Sequence, residues 1–297
     1  MASQPRSLTD LARPSGAFAM LAVDQREALR NMLIEAGPDP AAAVGDEEVT
    51  EFKLAATRIL TPYASAVLLD KQFVLDRAIA EHAVADSCAL IAAADEFIPG
   101  PHEVVGDVRI DAAVDPQHYA EAGAAAMKLL VLYRPDEDPD GRVTMVQEFV
   151  RRCRTAGLVS IIEPVSRAPR AGGDFDWNAG VLAAARELGG LGADLYKAEV
   201  PHHGAGDETA VRRDCAAITE AVASPWVVLS SGVDADLFPR AVSLAIAEGA
   251  SGFLAGRAVW KASLGAADRA QALRTDAVRR LQALIDTVDE AVAARAH

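Results

Sequence analysis

Short apolar runs of strand length recur along this chain, each followed by a stretch whose apolar positions return every three or four residues. The runs are Ala17–Val23, Ser65–Leu69, Cys88–Ala93, Ala125–Leu132, Leu158–Ile162, Asp194–Ala198, Trp226–Leu229 and Gly252–Ala255. Helical spacing occupies Val49–Leu60, Arg142–Ala156, Ala179–Leu188, Thr209–Ala223 and Leu237–Glu248. Eight strand–helix alternations in 297 residues predict an α/β fold, a single (β/α)8 TIM barrel over residues 1–297. A doubly wound open sheet is the main alternative, but no Gly-x-Gly-x-x-Gly turn follows the first strand. The interval from Pro99 to Ala122 has room for a small hairpin over Glu103–Ile110, and the Ala-, Arg- and Leu-rich segment from Ala266 onward predicts a C-terminal helical extension.

A barrel gathers its active site at the C-terminal ends of its strands. Charge marks those ends here: Asp24-Gln25-Arg26, Asp70-Lys71, Asp95-Glu96, Lys128 with Arg134 beyond it, Glu163-Pro164, Lys197 with Glu199, Ser230-Ser231-Gly232 and Gly256-Arg257. A purely structural protein has no need of so much charge on one rim.

Of 29 basic residues only five are lysines, and two of them, Lys128 and Lys197, lie inside apolar strands. Arginine keeps its proton in a protein, whereas a desolvated lysine can become a neutral amine and attack a carbonyl. The fourth and sixth strands place the two lysines across the barrel interior, where burial and a neighbouring cation both lower an amine pKa. Lys197 is the candidate nucleophile, with Lys128 held charged by Glu163 or Asp24. Glu163, following Ser160-Ile161-Ile162, should point into the mouth and move protons to and from a substrate hydroxyl. The plain alternatives are lysines that snorkel from strand ends and a carboxylate that is merely salt-bridged.

Ser230, Ser231 and Gly232 after the seventh strand, and Gly256 and Arg257 after the eighth, occupy the place where many barrels hold a phosphate. Either segment alone reads equally well as a turn. Further anion donors expected at the mouth are Gln25, Arg26, Lys71, Arg167 and Arg170. Zinc chemistry needs converging imidazoles, but of His82, His102, His118, His202, His203 and His297 only the adjacent pair is close, and neighbours on a strand face opposite ways. No metal or other cofactor is therefore expected, and no Gly-x-Ser-x-Gly elbow supports serine chemistry.

Composition narrows the partners. A 51% hydrophobic chain with 5% aromatics suits an aliphatic α/β core. The net charge of −14 argues against nucleic acid or an anionic membrane as partner. Cys88, Cys153 and Cys215 show no CxxC spacing, Met1–Pro14 has no signal-peptide core, and no run reaches bilayer length. A cytoplasmic protein is expected.

The phrases Phe18–Arg26, Ile161–Pro164, Ala193–Pro201, Leu229–Val233 and Gly252–Trp260 resemble the class I aldolases that include the tagatose 1,6-bisphosphate aldolases. Tyr63–Asp70, Phe97–Gly100 and Arg134–Asp138 extend the likeness toward members that act on sulfofructose 1-phosphate in sulfoquinovose breakdown. The resemblance runs from about Gly16 to Trp260 and departs at Lys71 and at His202–Gly206. It implies a metal-independent carbon–carbon lyase with Lys197 as Schiff-base lysine, Glu163 as proton shuttle and Lys128 as its cationic neighbour. Ser230, Gly232, Gly256 and Arg257 would hold the anion of the dihydroxyacetone phosphate half. The expected substrate is 6-deoxy-6-sulfofructose 1-phosphate, cleaved to dihydroxyacetone phosphate and sulfolactaldehyde by a dimer or tetramer. Tagatose or fructose 1,6-bisphosphate cleavage, a transaldolase and a non-catalytic sugar-phosphate sensor are the alternatives.

Overall fold

The computed structural model describes residues 5–37 and 43–295. His297 and the first four residues of the N-terminal segment lie outside the described residues. Eight parallel strands close into a barrel: β1 (Phe18–Val23), β2 (Ala66–Leu69), β3 (Ala89–Ala93), β6 (Ala124–Tyr133), β7 (Val159–Ser166), β8 (Leu195–Ala198), β9 (Trp226–Val228) and β10 (Gly252–Ala255). β1 lies between β2 and β10, completing the ring. Each apolar run predicted as a strand is one of the eight. The two remaining strands, β4 (Asp95–Ile98) and β5 (Asp107–Ile110), pair antiparallel as a hairpin directly after β3. The hairpin therefore begins earlier than Glu103, at Asp95 itself.

The barrel interior follows from strand alternation, because every second side chain points inward. Phe18, Met20 and Ala22 of β1, Leu68 of β2, Ile91 and Ala93 of β3, Ile161 of β7 and Leu254 of β10 form one apolar cluster, joined by Leu11 of the N-terminal segment. The opposite faces pack under the helices in a second, larger cluster. Gly252 sits where the first and last strands meet; at φ +138° its Cα lies so close to β1 that a Cβ would fall 2.0 Å from the Phe18 carbonyl oxygen.

Side-chain caps start the helices between the later strands. Asp138, Asp176 and Asp207 each accept a backbone N–H from the first turn of Pro139–Ala156, Trp177–Leu188 and Glu208–Ala221. The first of these ends on Gly157, whose φ of 69° turns the chain into β7. The helical extension begins at Arg269, passes one π-helical turn (Leu273–Ala277) and continues as Val278–Arg295. It buries Leu281, Leu284, Ile285 and Val288, packs against helix Phe238–Ala247, and is tied to the start of the chain by Arg13 and Asp289 at 2.7 Å. Among the described residues, no helix is long and apolar enough to cross a membrane.

Candidate functional site

Continuing the inward alternation past the apolar layers leads to a layer of charge. Met20–Ala22 leads to Asp24, Ala66–Leu68 to Asp70 and Ile91–Ala93 to Asp95, while β6, β7 and β8 contribute Lys128, Glu163 and Lys197. Register sets the heights: Lys128 lies opposite Ile161 and Leu130 opposite Glu163.

Glu163 joins the two lysines. Its Oε1 is 2.9 Å from the Lys197 amine and its Oε2 is 3.1 Å from that of Lys128. The Lys128 ammonium also meets Asp24 and Asp95, each at 2.8 Å. Burial alone would push its pKa down, but Asp24, Asp95 and Glu163 outweigh burial and hold it well above the usual lysine value. Lys128 is a permanent cation. Burial would likewise raise the Asp24 carboxyl, yet Lys128 and Lys197 hold it well below the ordinary carboxylate range. Lys197, with a side chain 4% exposed, has Glu163 as its ion-pair partner. A carboxylate in contact with a buried amine on one side and a fixed cation on the other is positioned to take and return protons.

Above this layer opens a cavity of about 420 Å³. Asp24 and Glu163 line it, with Leu130 and Val165 as apolar walls, Arg26, Arg167 and Arg257 as cations, and Pro99, Glu103, Val104 and Val105 contributed by the hairpin. Gln25 also lines it, donating to Asp24 at 3.2 Å while its own side-chain oxygen is buried without a partner. Arg26 is committed to Asp95, donating to both its carboxylate (2.7 Å) and its carbonyl (2.8 Å). Its guanidinium lies 4.1 Å from the centre of the Phe97 ring. Arg167 donates to the Ser166 carbonyl, and burial lowers the Arg257 pKa against the pull of Glu163 and Asp24.

The candidate anion donors divide. Ser231 and Arg257 line the main cavity, whereas Ser230 and Gly232 line an adjoining one of about 700 Å³, shared with Arg257, Lys261 and Arg280. Gly256 lines neither; a Cβ there would lie 2.2 Å from the Ala22 carbonyl oxygen, so it serves the contact between β10 and β1. Lys71 is turned away from the cavity toward Tyr119 (3.2 Å) and Asp76 (3.5 Å), and Gln72 takes its place on the wall. Arg170 also lies outside it, paired with Glu137 and donating to the Gly106 carbonyl.

His202 and His203 are not on a strand. They occupy a 3-10 turn, Pro201–Gly204, both with left-handed backbone (φ 56° and 51°). His202 pairs with Asp214 at 2.7 Å, and His203 stacks on Trp177 with ring centres 3.9 Å apart. Gly232, at φ +75°, leaves space for that ring, since a Cβ would lie 2.7 Å from its Nδ1. Among the described residues no three His, Cys, Asp or Glu side chains converge as metal ligands.

Asp95 and Glu199 were rim charges in the sequence but carried no assigned role. Asp95 bonds Lys128 and Arg26, and parity with Ile91 and Ala93 marks it as inward-facing. Glu199, two positions after Lys197, accepts the Ser166 N–H at 2.7 Å. Burial pushes its carboxyl up to about 7, against the opposing effects of that hydrogen bond and of Arg167.

The chain is similar to known aldolases. Residues 18–262 match the DeoC/LacD family aldolase. The tagatose 1,6-diphosphate aldolase of Listeria monocytogenes serotype 4a is 27% identical over 286 residues, covering 85% of this chain and 80% of that protein. Tagatose 1,6-diphosphate aldolase 1 of Enterococcus faecalis is 28% identical over 285 residues, with coverage of 86% and 83%. An archaeal fructose 1,6-bisphosphate aldolase superposes with a TM-score of 0.63 at 16% identity, covering 95% of this chain and 99% of its own. Fructose-bisphosphate aldolase from Plasmodium falciparum gives 0.66 at 14%, with 97% and 98% covered. The solved structures establish likeness of fold; the match over residues 18–262 goes further, and the chain belongs to the DeoC/LacD aldolase family.

Proposed function

We propose that the chain is a class I aldolase in which Lys197 forms a Schiff base with a ketose phosphate. The observation that carries this reading is Glu163 in contact with both a buried amine and a fixed cation. Glu163 takes a proton from the Lys197 ammonium, the freed amine adds to the substrate C2 carbonyl, and return of that proton lets the hydroxyl leave as water to give a protonated imine. Glu163 takes the proton of the C4 hydroxyl, the C3–C4 bond breaks, and its electron pair flows into the iminium to leave an enamine. The aldehyde departs, the proton held by Glu163 returns to C3 of the enamine, and water releases dihydroxyacetone phosphate and regenerates the amine. Lys128 holds Glu163 in place and supplies positive charge opposite the developing alkoxide. Asp24 keeps Lys128 protonated.

The substrate we favour is 6-deoxy-6-sulfofructose 1-phosphate, giving sulfolactaldehyde as the second product. With Lys71 and Arg170 paired elsewhere, the arginines facing the cavity are Arg26, Arg167 and Arg257, and Arg26 is already neutralised by Asp95. Glu27 and Glu103 face the same space. Such a balance suits a sulfonate with one negative charge better than a phosphate with roughly 1.5 to 2. Tagatose 1,6-bisphosphate is the second reading, favoured by what the Listeria and Enterococcus relatives are named to cleave.

Borohydride added with dihydroxyacetone phosphate should inactivate the enzyme irreversibly and label Lys197, with full activity kept in a chelator. Labelling at Lys128 would exchange the two roles, and absence of labelling would sink the Schiff-base reading. Side-by-side rates on the two ketoses decide the substrate: the sulfonate is expected to have the higher kcat/KM, by about 1–3 kcal/mol. Equal or better cleavage of the bisphosphate would install the second reading.

A further inference from the structure

The barrel changes construction at the end of β3. The Ala94 amide still bonds the Lys128 carbonyl at 2.8 Å, in register with β6. The Ala94 carbonyl accepts instead from Asp111, on the far arm of the hairpin, at 2.8 Å. The chain has left the barrel there, and the Leu130 amide would lack its ladder partner. The Asp95 carboxylate replaces it, accepting from Leu130 at 3.0 Å through the same Oδ2 that meets Lys128 at 2.8 Å. Its other oxygen holds Arg26 at 2.7 Å. The Asp95 side chain is 0% exposed, so these bonds act without competing water.

One carboxylate thus joins three parts of the molecule: the hairpin that walls the cavity, the arginine on the cavity wall and the cation beside Glu163. We propose that Asp95 is a positioning residue for cleavage, fixing Arg26 toward the substrate and Lys128 toward Glu163 as a single unit. The proposal rests on the reading of Glu163 and Lys128 as cleavage machinery. It makes two separable demands on Asp95: its charge balances the site, and its length sets where Arg26 stands.

The test compares Asp95→Asn with Asp95→Glu in the full-length enzyme, measuring kcat and KM across pH. The charged groups facing Asp95 and Lys128 are Asp24 and Arg26 beyond β1, Lys53 and Asp70 beside β2, Glu163 on β7 and Lys197 on β8. All of them remain in both variants. Removing one anion lowers the pKa of every acid left in the cluster, so Asp95→Asn should move both limbs of the pH–rate profile to lower pH by about one unit. Asp95→Glu keeps the charge and should leave the limbs in place while raising KM about tenfold as Arg26 shifts. Rates that fall evenly at all pH in Asp95→Asn, or limbs displaced as far in Asp95→Glu, overturn the proposal. If Asp95→Asn does not fold, unchanged KM in Asp95→Glu overturns it alone. Trapping at Lys197 in the unmodified enzyme is read beside these profiles. Its absence would overturn the Schiff-base reading, whereas the displacement of the limbs judges Asp95 on whatever cleavage that enzyme shows.

Discussion

Two buried lysines in this barrel have opposite fates. Lys53, on helix Asp46–Leu60, forms a closed pair with Asp70 at the end of β2, and both side chains are fully buried. Burial pushes the Lys53 ammonium down and the Asp70 carboxyl up, each opposed by the charge of its partner. Lys128 is equally buried, yet with three carboxylates around it the balance reverses and the charge is held firmly. Both amines are fully buried, and the number of carboxylate partners sets which way the balance between burial and charge tips. Access is the second difference. Both side chains of the Lys53–Asp70 pair are sealed from solvent, while Lys128 touches Glu163, which lines the cavity.

The largest effect that sharpens this contrast lies on the open side. Glu163→Gln should slow cleavage by about 10²–10⁴-fold, the usual range for loss of a general acid–base, while borohydride trapping with dihydroxyacetone phosphate survives. Trapping and cleavage falling together would mean that Glu163 only holds the lysines apart. On the closed side the expected damage is to stability. Lys53→Met strands a buried carboxyl and should cost about 3–5 kcal/mol in urea unfolding, with most of it recovered in Lys53→Met/Asp70→Leu. A double variant no more stable than the single one would break the comparison, making Asp70 necessary for itself.

Glu199 supplies the smallest test, a buried carboxylate whose chief support is one backbone N–H. Its folded pKa, raised to about 7, exceeds that of an unfolded glutamate, about 4.3, so the folded protein binds more protons between those values. Its favourable contribution is therefore complete below about pH 4.3 and lost as the pH rises through 7. Glu199→Gln should flatten that part of the stability–pH curve, on the order of 3 kcal/mol or less, as measured by urea midpoints between pH 5 and about 8. A curve unchanged by the substitution would place the ionisation elsewhere.

The apolar runs revealed the eight barrel strands because buried parallel strands are apolar on both faces. They did not reveal where β7 stops. Glu163-Pro164 looked like its end, yet the strand continues to Ser166. The Ser160 and Ser166 amides point toward β8, bonding Asp194 and Glu199, and Pro164 shares their parity. Pairing with β8 has finished at Ile162, so the missing N–H of proline costs no ladder bond. Lys197, Glu163, Lys128 and Asp24 were legible as charge in apolar strands. Asp95 and Asp70 required the same alternation to be carried one step past the strand end. That step would also have turned Lys71 outward, because it follows inward-facing Asp70. Arg170 and the His202–His203 turn depend on loop partners, Glu137, Asp214 and Trp177, that no local pattern announces.

Leu130 and Ser166 share a further property. Each donates its backbone N–H to a side-chain carboxylate just past the end of the neighbouring barrel strand, where a barrel ordinarily supplies a peptide carbonyl. A proton bonded to a carboxylate responds to the ionisation of that acid, since charged acceptors bind N–H groups more strongly than neutral ones. The barrel therefore carries a native spectroscopic probe in the Ser166 amide. In an amide-resolved titration, Ser166 reads the charge state of Glu199, with no label introduced into the cavity.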